Sequence, residues 1–392
     1  MRKLKVAVVG FVSASLLGCG EPPNPATPYA GPPLASEALV LLNNLQVSGL
    51  GRINKDGTMH EVPDIALGAD PVLAMSKDTY LAVVRDRNLI YEVDPFTLAL
   101  QHEFVTYEDA ELESSKLLDC QLLVKGINPQ DVAIDSAGRR WVTRFEQSSL
   151  AVVAQDGKSL EKVDLSAYAD ADGLPEASAV HIVGERAFVT VEQLDRCGGF
   201  KPTGPGLILA IDIATRQVEN SIVLGGANPF GRLVPAPWDL SGNTVAIALS
   251  GDFLSINGGD AAALVDLQSG TAKGFGREQD LDGSITELAL ATPNEAYVIV
   301  SNPELAQVNA TSVVRIDPTT GSVGPVLLDS RTESNPDGGF CHRGLTVVGE
   351  HVLVGSQVPC EIGVIVLDRQ SGQQVGVIHP ENLPPIAIQA VP

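Results

Sequence analysis

Apolar residues in this chain fall in short runs, and most runs come as a pair divided by a small polar turn. One pair is Asp131-Val132-Ala133-Ile134-Asp135, a turn over Ser136 to Arg139, then Arg140-Trp141-Val142-Thr143-Arg144. Another is Glu287 to Leu290, a turn over Thr292 to Glu295, then Ala296 to Val300. Related pairs lie at 71–84, 178–191, 236–249 and 344–355, with Asp78, Gly184, Gly242 and Gly349 near the reversals. Such spacing predicts β-hairpins, because Gly and Asp relieve the backbone at a tight turn. No helical period near 3.6 is sustained over ten residues; the best stretch, 109–123, predicts a short helix inside a loop.

A second signal repeats. An apolar run enters a turn of Asp, Asn, Gly, Ser or Thr at 53–57, 93–97, 153–157, 211–215, 265–270, 316–321 and 367–372. The seven copies stand 40 to 60 residues apart, near the repeat of a four-stranded propeller blade. The segment Pro385 to Val391 has no partner strands after it, and the first copy, near Leu39 to Leu42, lacks an inner strand before it. These two deficits match. The expectation is an all-β, seven-bladed β-propeller closed by its C-terminal strand, which protects edges that separate sheets would expose.

At this point the chain resembles the YVTN-type seven-bladed β-propellers, through motifs such as Asn128-Pro129-Gln130-Asp131-Val132-Ala133-Ile134-Asp135 and Val314-Arg315-Ile316-Asp317-Pro318-Thr319-Thr320-Gly321. The resemblance covers residues 37–392 and is degenerate, since a literal Tyr-Val-Thr-Asn is absent. It implies a fold shared by binding scaffolds, surface proteins and a few lactonases or lyases, so the site has to decide the function.

The N-terminus carries a different message. Arg2, Lys3 and Lys5 precede an apolar run from Val6 to Leu17, too short to span a bilayer, and the run ends in Leu16-Leu17-Gly18-Cys19. This order resembles a bacterial lipobox, which implies cleavage after residue 18 and lipid on Cys19. Residues 19–36 are rich in proline and predict a flexible spacer between the lipid and the domain at 37–392. Gly20, rather than an acidic residue, resembles lipoproteins sorted to the outer membrane. The expected location is therefore the cell envelope.

Charge narrows the partners. The 392 residues carry 26 basic and 48 acidic groups, a formal charge of −22 that becomes −25 once the first 18 residues are removed. Nucleic acid and anionic lipid surfaces would be repelled, so attachment to the membrane rests on the lipid alone. Four cysteines remain after Cys19: Cys120, Cys197, Cys341 and Cys360. In an oxidising compartment they predict two disulfides, and the repeat favours Cys120 with Cys197 and Cys341 with Cys360. Zinc is the alternative, although only His342 lies beside a cysteine and no Cys-x-x-Cys is present.

Lettering the strands A to D outward from the axis, the D-to-A and B-to-C loops share one face. All four cysteines fall there, as do the insertions 193–205 and 329–340. Candidate residues around the channel mouth are Arg85, Asp86, Glu146, Glu192, Asp252, His342 and Arg343, with Arg87 and Glu304. His342 is the one base placed to take a proton from a substrate. Asp170-Ala171-Asp172-Gly173 with Glu176, and Asp280-Leu281-Asp282-Gly283 with Glu287, supply hard oxygens suited to calcium, or else form ordinary Asp-Gly turns. No cofactor beyond calcium is expected. Trp141 and Trp238 are expected between blades, Trp238 in an A strand. With no nucleophile elbow, phosphate loop or dinucleotide fingerprint, the first expectation is a binding or scaffold protein with a protein or envelope-polymer partner. The alternative is a lactonase- or lyase-type enzyme at the channel mouth.

Overall fold

The computed structural model describes residues 28–76, 78–113, 115–252, 255–256, 258–302, 310–330 and 341–391. The signal segment, Cys19, Glu304 and residues 331–340 of the second insertion lie outside the described residues.

Seven four-stranded antiparallel sheets stand around an axis. Their innermost strands are Pro71–Ser76, Pro129–Ile134, Ala177–Val183, Pro229–Pro235, Ser284–Thr292, His342–Val348 and Pro385–Ala390. The last of these belongs to the first blade. It pairs with Ala38–Asn43, placing Val40 opposite Ile388 and Leu41 opposite Ala387, and Ser48–Ile53 and Met59–Ile65 complete that blade. The chain is a seven-bladed β-propeller closed by its C-terminal strand.

The burial of each strand follows from its distance to the axis. Inner strands are covered on both faces by neighbouring sheets, so B strands such as Ala38–Asn43 and His351–Ser356 are buried at every position. This is why they read as continuous apolar runs rather than alternating ones. Outer strands such as Val218–Val223 keep polar residues in water. The apolar core is divided into seven clusters, one between each pair of adjacent blades. Trp141 fills the one between blades 3 and 4, its indole N–H donating to Asp135 Oδ2 at 3.0 Å.

The repeated turn is the C-to-D turn of each blade. Asp94, Asp212, Asp266, Asp317 and Asp368 each accept backbone N–H bonds from residues two or three further on. The 109–123 stretch forms a short helix, Asp109–Glu113, then the hairpin Ser115–Leu117 and Leu123–Lys125.

Two details depart from the sequence reading. Trp238 is not in an A strand: blade 5's inner strand ends at Pro235, and Asp239 caps the following turn by accepting from the N–H groups of Ser241 and Thr244. Alternation over Val234, Ala236 and Trp238 imitated a strand, while Pro235 and Pro237 stop the ladder. Trp238 still packs between blades 5 and 6. The second half of the proline-rich stretch is laid on the propeller: Tyr29 N donates to Val377 O at 3.0 Å, Leu34 N to Lys55 O at 2.7 Å, and Leu34 is buried.

Candidate binding face

Strand A does not run straight into the channel mouth. In six blades its pairing with strand B shifts register near its start, and only blade 2 is unbroken. A bulge turns side chains that would otherwise lie between the sheets and frees backbone groups that need partners. The freed groups are met across blade boundaries. Val180 N donates to Asp131 Oδ2 at 3.1 Å and Gly344 N to Glu287 Oε1 at 2.8 Å. Thr143 Oγ1 accepts from Asp131 N and donates to Ser178 O, Ser178 Oγ donates to Pro229 O, and Ser250 Oγ to Ile285 O. A belt of buried hydroxyls and carboxylates thus ties the blades together beneath the mouth.

Arg232, in the bulge of blade 5, crosses the axis. Its Nε lies 3.0 Å from Asp131 Oδ1 of blade 3, and Nη2 donates to Met75 O of blade 2 at 3.3 Å. Burial drives the Asp131 carboxyl upward, against the pull of Arg232 and of two backbone N–H groups. Burial likewise raises Glu287 to about 7. His181 is half-buried and bonded to Gly242 O at 3.1 Å, and burial lowers its pKa.

The second cluster surrounds Arg196, on the insertion between strands B and C of blade 4. Its guanidinium meets Glu146 at 2.6 Å, Glu176 at 3.0 Å and Asp172 at 3.6 Å, donates to Phe145 O, and lies near the rings of Phe145 and Phe200. Glu192 is only 4% exposed. Burial raises Glu176 and Glu192 each to about 8, and burial with the neighbouring Asp170 raises Asp172. The next residue, Cys197, is joined to Cys120 with Cα atoms 5.7 Å apart. Cys341 is joined to Cys360 on the other side of the mouth. Both pairings are those expected, and both lie on the face of the D-to-A and B-to-C loops.

The remaining predicted residues are distributed as follows. Glu146, Glu192, Asp170 and Asp172 are brought together around Arg196. Arg85 pairs with Asp70 at 2.8 Å and donates to Gln130; Asp86 accepts from Ala69 N. Asp252 accepts from Ser255 Oγ at 3.1 Å, and Arg343 faces Glu287. His342 is 5% exposed, with Nδ1 3.0 Å from Thr311 Oγ1, and burial lowers it to about 4. Thr311 belongs to strand C of blade 6, so the ring faces away from the axis. Asp280 and Asp282 are exposed on and just after the short helix Glu278–Leu281. Among the described residues no three His, Cys, Asp or Glu side chains converge as a metal-ligand set. At the Asp170 loop the positive charges are Arg196 and Lys116, whose ammonium donates to Asp172 O.

Sequence reasoning passed over Asp131, Arg232 and Arg196 as site residues, and read Glu176 only as an oxygen of the candidate calcium loop. The available signal was a charged residue inside an otherwise apolar inner strand, as at Asp131 and Arg232.

This face offers apolar side chains to solvent among the exposed Lys116, Asp119, Lys125 and Lys201. Leu117 and Leu123 are cross-strand partners, 58% and 56% exposed, while the other side of their hairpin packs Val124 on Leu118 and Leu174. Leu122, Phe200, Leu45, Val358 and Ile362 are exposed on the same face, Val358 at 68%. Paired charges beneath and aliphatic tips above suit docking to another surface.

Solved propellers resemble the chain. A candidate 6-phosphogluconolactonase from Bacteroides uniformis is 14% identical, covering 92% of this chain and 100% of that one, with a TM-score of 0.55. Apo AztD from Citrobacter koseri is 14% identical over 91% and 98%, TM-score 0.51, and hydrazine synthase of Kuenenia stuttgartiensis 18% over 76% of each, TM-score 0.52. At such identities the likeness shows the fold alone. No family model and no curated protein matches.

Proposed function

We propose that the protein is an exported, lipid-anchored propeller of the YVTN type in the cell envelope, attached through Cys19. It binds a protein or envelope polymer through the face that carries both disulfides, without covalent chemistry. The observation that carries this reading is the placement of exposed apolar side chains: Leu117, Leu122, Leu123, Phe200, Val358 and Ile362 all stand on loops held by the two cross-links. A brace of this kind lowers the ordering cost of docking. The strap at residues 28–36 supports the orientation, since it contacts Lys55 and packs against Gly57 and Gly349, all on the opposite, turn-bearing face. A lipid tether at Cys19 would join the described domain at residue 28, on the face away from the braced one.

The lactonase- or lyase-type alternative needs a base at the mouth, and His342 is turned into the blade 6–7 interface. The reading is tested by photo-cross-linking on intact cells from positions 123, 358 and 240. Discrete adducts at 123 and 358 with none at 240 support it; adducts confined to 240 contradict it. Fatty-acid labelling that persists in Cys19→Ser would contradict the anchor.

A further inference from the structure

On the turn-bearing face, strand D of each blade lies beside the C-to-D turn of the next, which gives seven equivalent grooves. Among the described residues, six are closed by an identifiable contact. Arg52 lies over Phe96 between blades 1 and 2, its guanidinium 4.8 Å from the ring centre, and Arg140 over Phe104 between blades 2 and 3 at 4.0 Å. Arg216 pairs with Glu161 between blades 3 and 4, Lys273 donates to Thr319 O between blades 5 and 6, and Leu327 packs on Gly372 between blades 6 and 7.

The groove between blades 7 and 1 is closed from outside the blades. Pro28 forms a parallel bridge with Val377, and Tyr29 packs against Gly57 of the turn and Gly376 of the strand, its ring edge-on to His351 with centroids 6.1 Å apart. Among the described residues the groove between blades 4 and 5 has no such plug. It is a cavity of about 380 Å³.

These two grooves share one register. Arg186 opposes Asp212 as His351 opposes Asp368, and Asn220 opposes Ala210 as Gly376 opposes Val366. Gly270 turns at φ +70° where Gly57 turns at +81°. We infer that the groove between blades 4 and 5 binds an extended peptide segment of a partner protein through an aromatic side chain, as the propeller holds its own Pro28-Tyr29.

Two substitutions adapt it to a guest. Arg186 stands where His351 meets the Tyr29 ring, and a guanidinium over an aromatic face is an attractive contact. Its ion pair with Glu219, at 2.8 Å, holds it at the lip. Asn220 replaces Gly376, where an added Cβ would lie 2.6 Å from Tyr29 Cα. A guest backbone therefore stands further off, and the carboxamide offers it both a donor and an acceptor. This site lies on the face opposite the one proposed above and does not depend on lipid attachment.

The test uses the mature chain and a synthetic peptide of its own residues 26–35 carrying a photoreactive group. Saturable binding is expected, with adducts at residues 219–222 or 268–270. Replacing the peptide's tyrosine by alanine is expected to weaken it about tenfold, as is Asn220→Trp, which fills the groove. Arg186→Glu, at an exposed site, provides a second variant if Asn220→Trp melts early. Binding that none of these changes alters, adducts confined to Gly57 and Gly376 by strap exchange, or no saturation up to millimolar peptide would each overturn the inference.

Discussion

The two faces of the ring carry acidic residues in opposite electrostatic states. On the turn-bearing face, Asp94, Asp212 and Asp368 sit in water and accept hydrogen bonds, first from the Thr97 N–H, the Thr215 N–H and the Ser371 hydroxyl respectively, which lowers their pKa. On the braced face, burial raises Asp131, Asp172, Glu176, Glu192 and Glu287 despite Arg232, Arg196 and Arg343. The first set makes turns and repeats from blade to blade. The second differs in every blade and ties blades 3 to 7 together under the channel mouth. Repetition marks what the fold requires, and departure from repetition marks where a face has been specialised.

Removing residues 385–391 is expected to have the largest effect, since it opens the ring that keeps the faces apart. Ala38–Asn43 becomes an edge, and unfolding by heat should shift downward as one transition for the whole domain; an unchanged melting curve would contradict closure. Next, replacing Cys120 and Cys197 by serine should cost about 2–4 kcal/mol in denaturant titration. It should open protease sites within 115–125 and 193–205 while the C-to-D turns stay resistant.

The pH dependence separates the faces further. A carboxyl whose folded pKa is raised keeps its proton longer folded than unfolded, so stability is greatest below its ordinary pKa and declines as pH rises toward the folded value. For Glu176 and Glu192 that window runs from about 4.5 to about 8. Depressed aspartates act in reverse and lose their contribution as pH falls through and below their ordinary value of 3.8. Melting temperature is therefore expected to peak in mild acid, and Glu192→Gln should flatten the alkaline limb without touching the acid one. The smallest effect belongs to a single turn: Asp94→Ala should lower the chemical denaturation midpoint only slightly and leave the braced face intact.

How much was legible follows the same division. Ring closure could be read because an inner strand missing at one end and left over at the other is a counting problem in a repeat, and both disulfides followed from which loops the repeat puts on one face. Trp238 was misplaced because two prolines, not hydropathy, end blade 5's inner strand. The Arg232 cluster was not legible because a bulge leaves no periodic trace: it changes where Asp131 and Arg232 point without changing the residues that flank them. The Arg196 cluster was not legible because an irregular insertion, outside the repeat, carries Arg196 to Glu146 and Glu176. His342 looked accessible beside a cysteine in a loop, yet the strand begins at that residue and turns its ring toward Thr311.

The most direct test of the two-faced account is hydroxyl-radical footprinting of the protein on intact cells against the purified mature chain. Leu122, Leu123 and Val358 are expected to be protected in the envelope, while Leu240, exposed on the turn-bearing face, reacts equally in both. Equal reactivity of all four, or protection at Leu240 alone, would contradict the assignment of the braced face as the docking surface in the envelope.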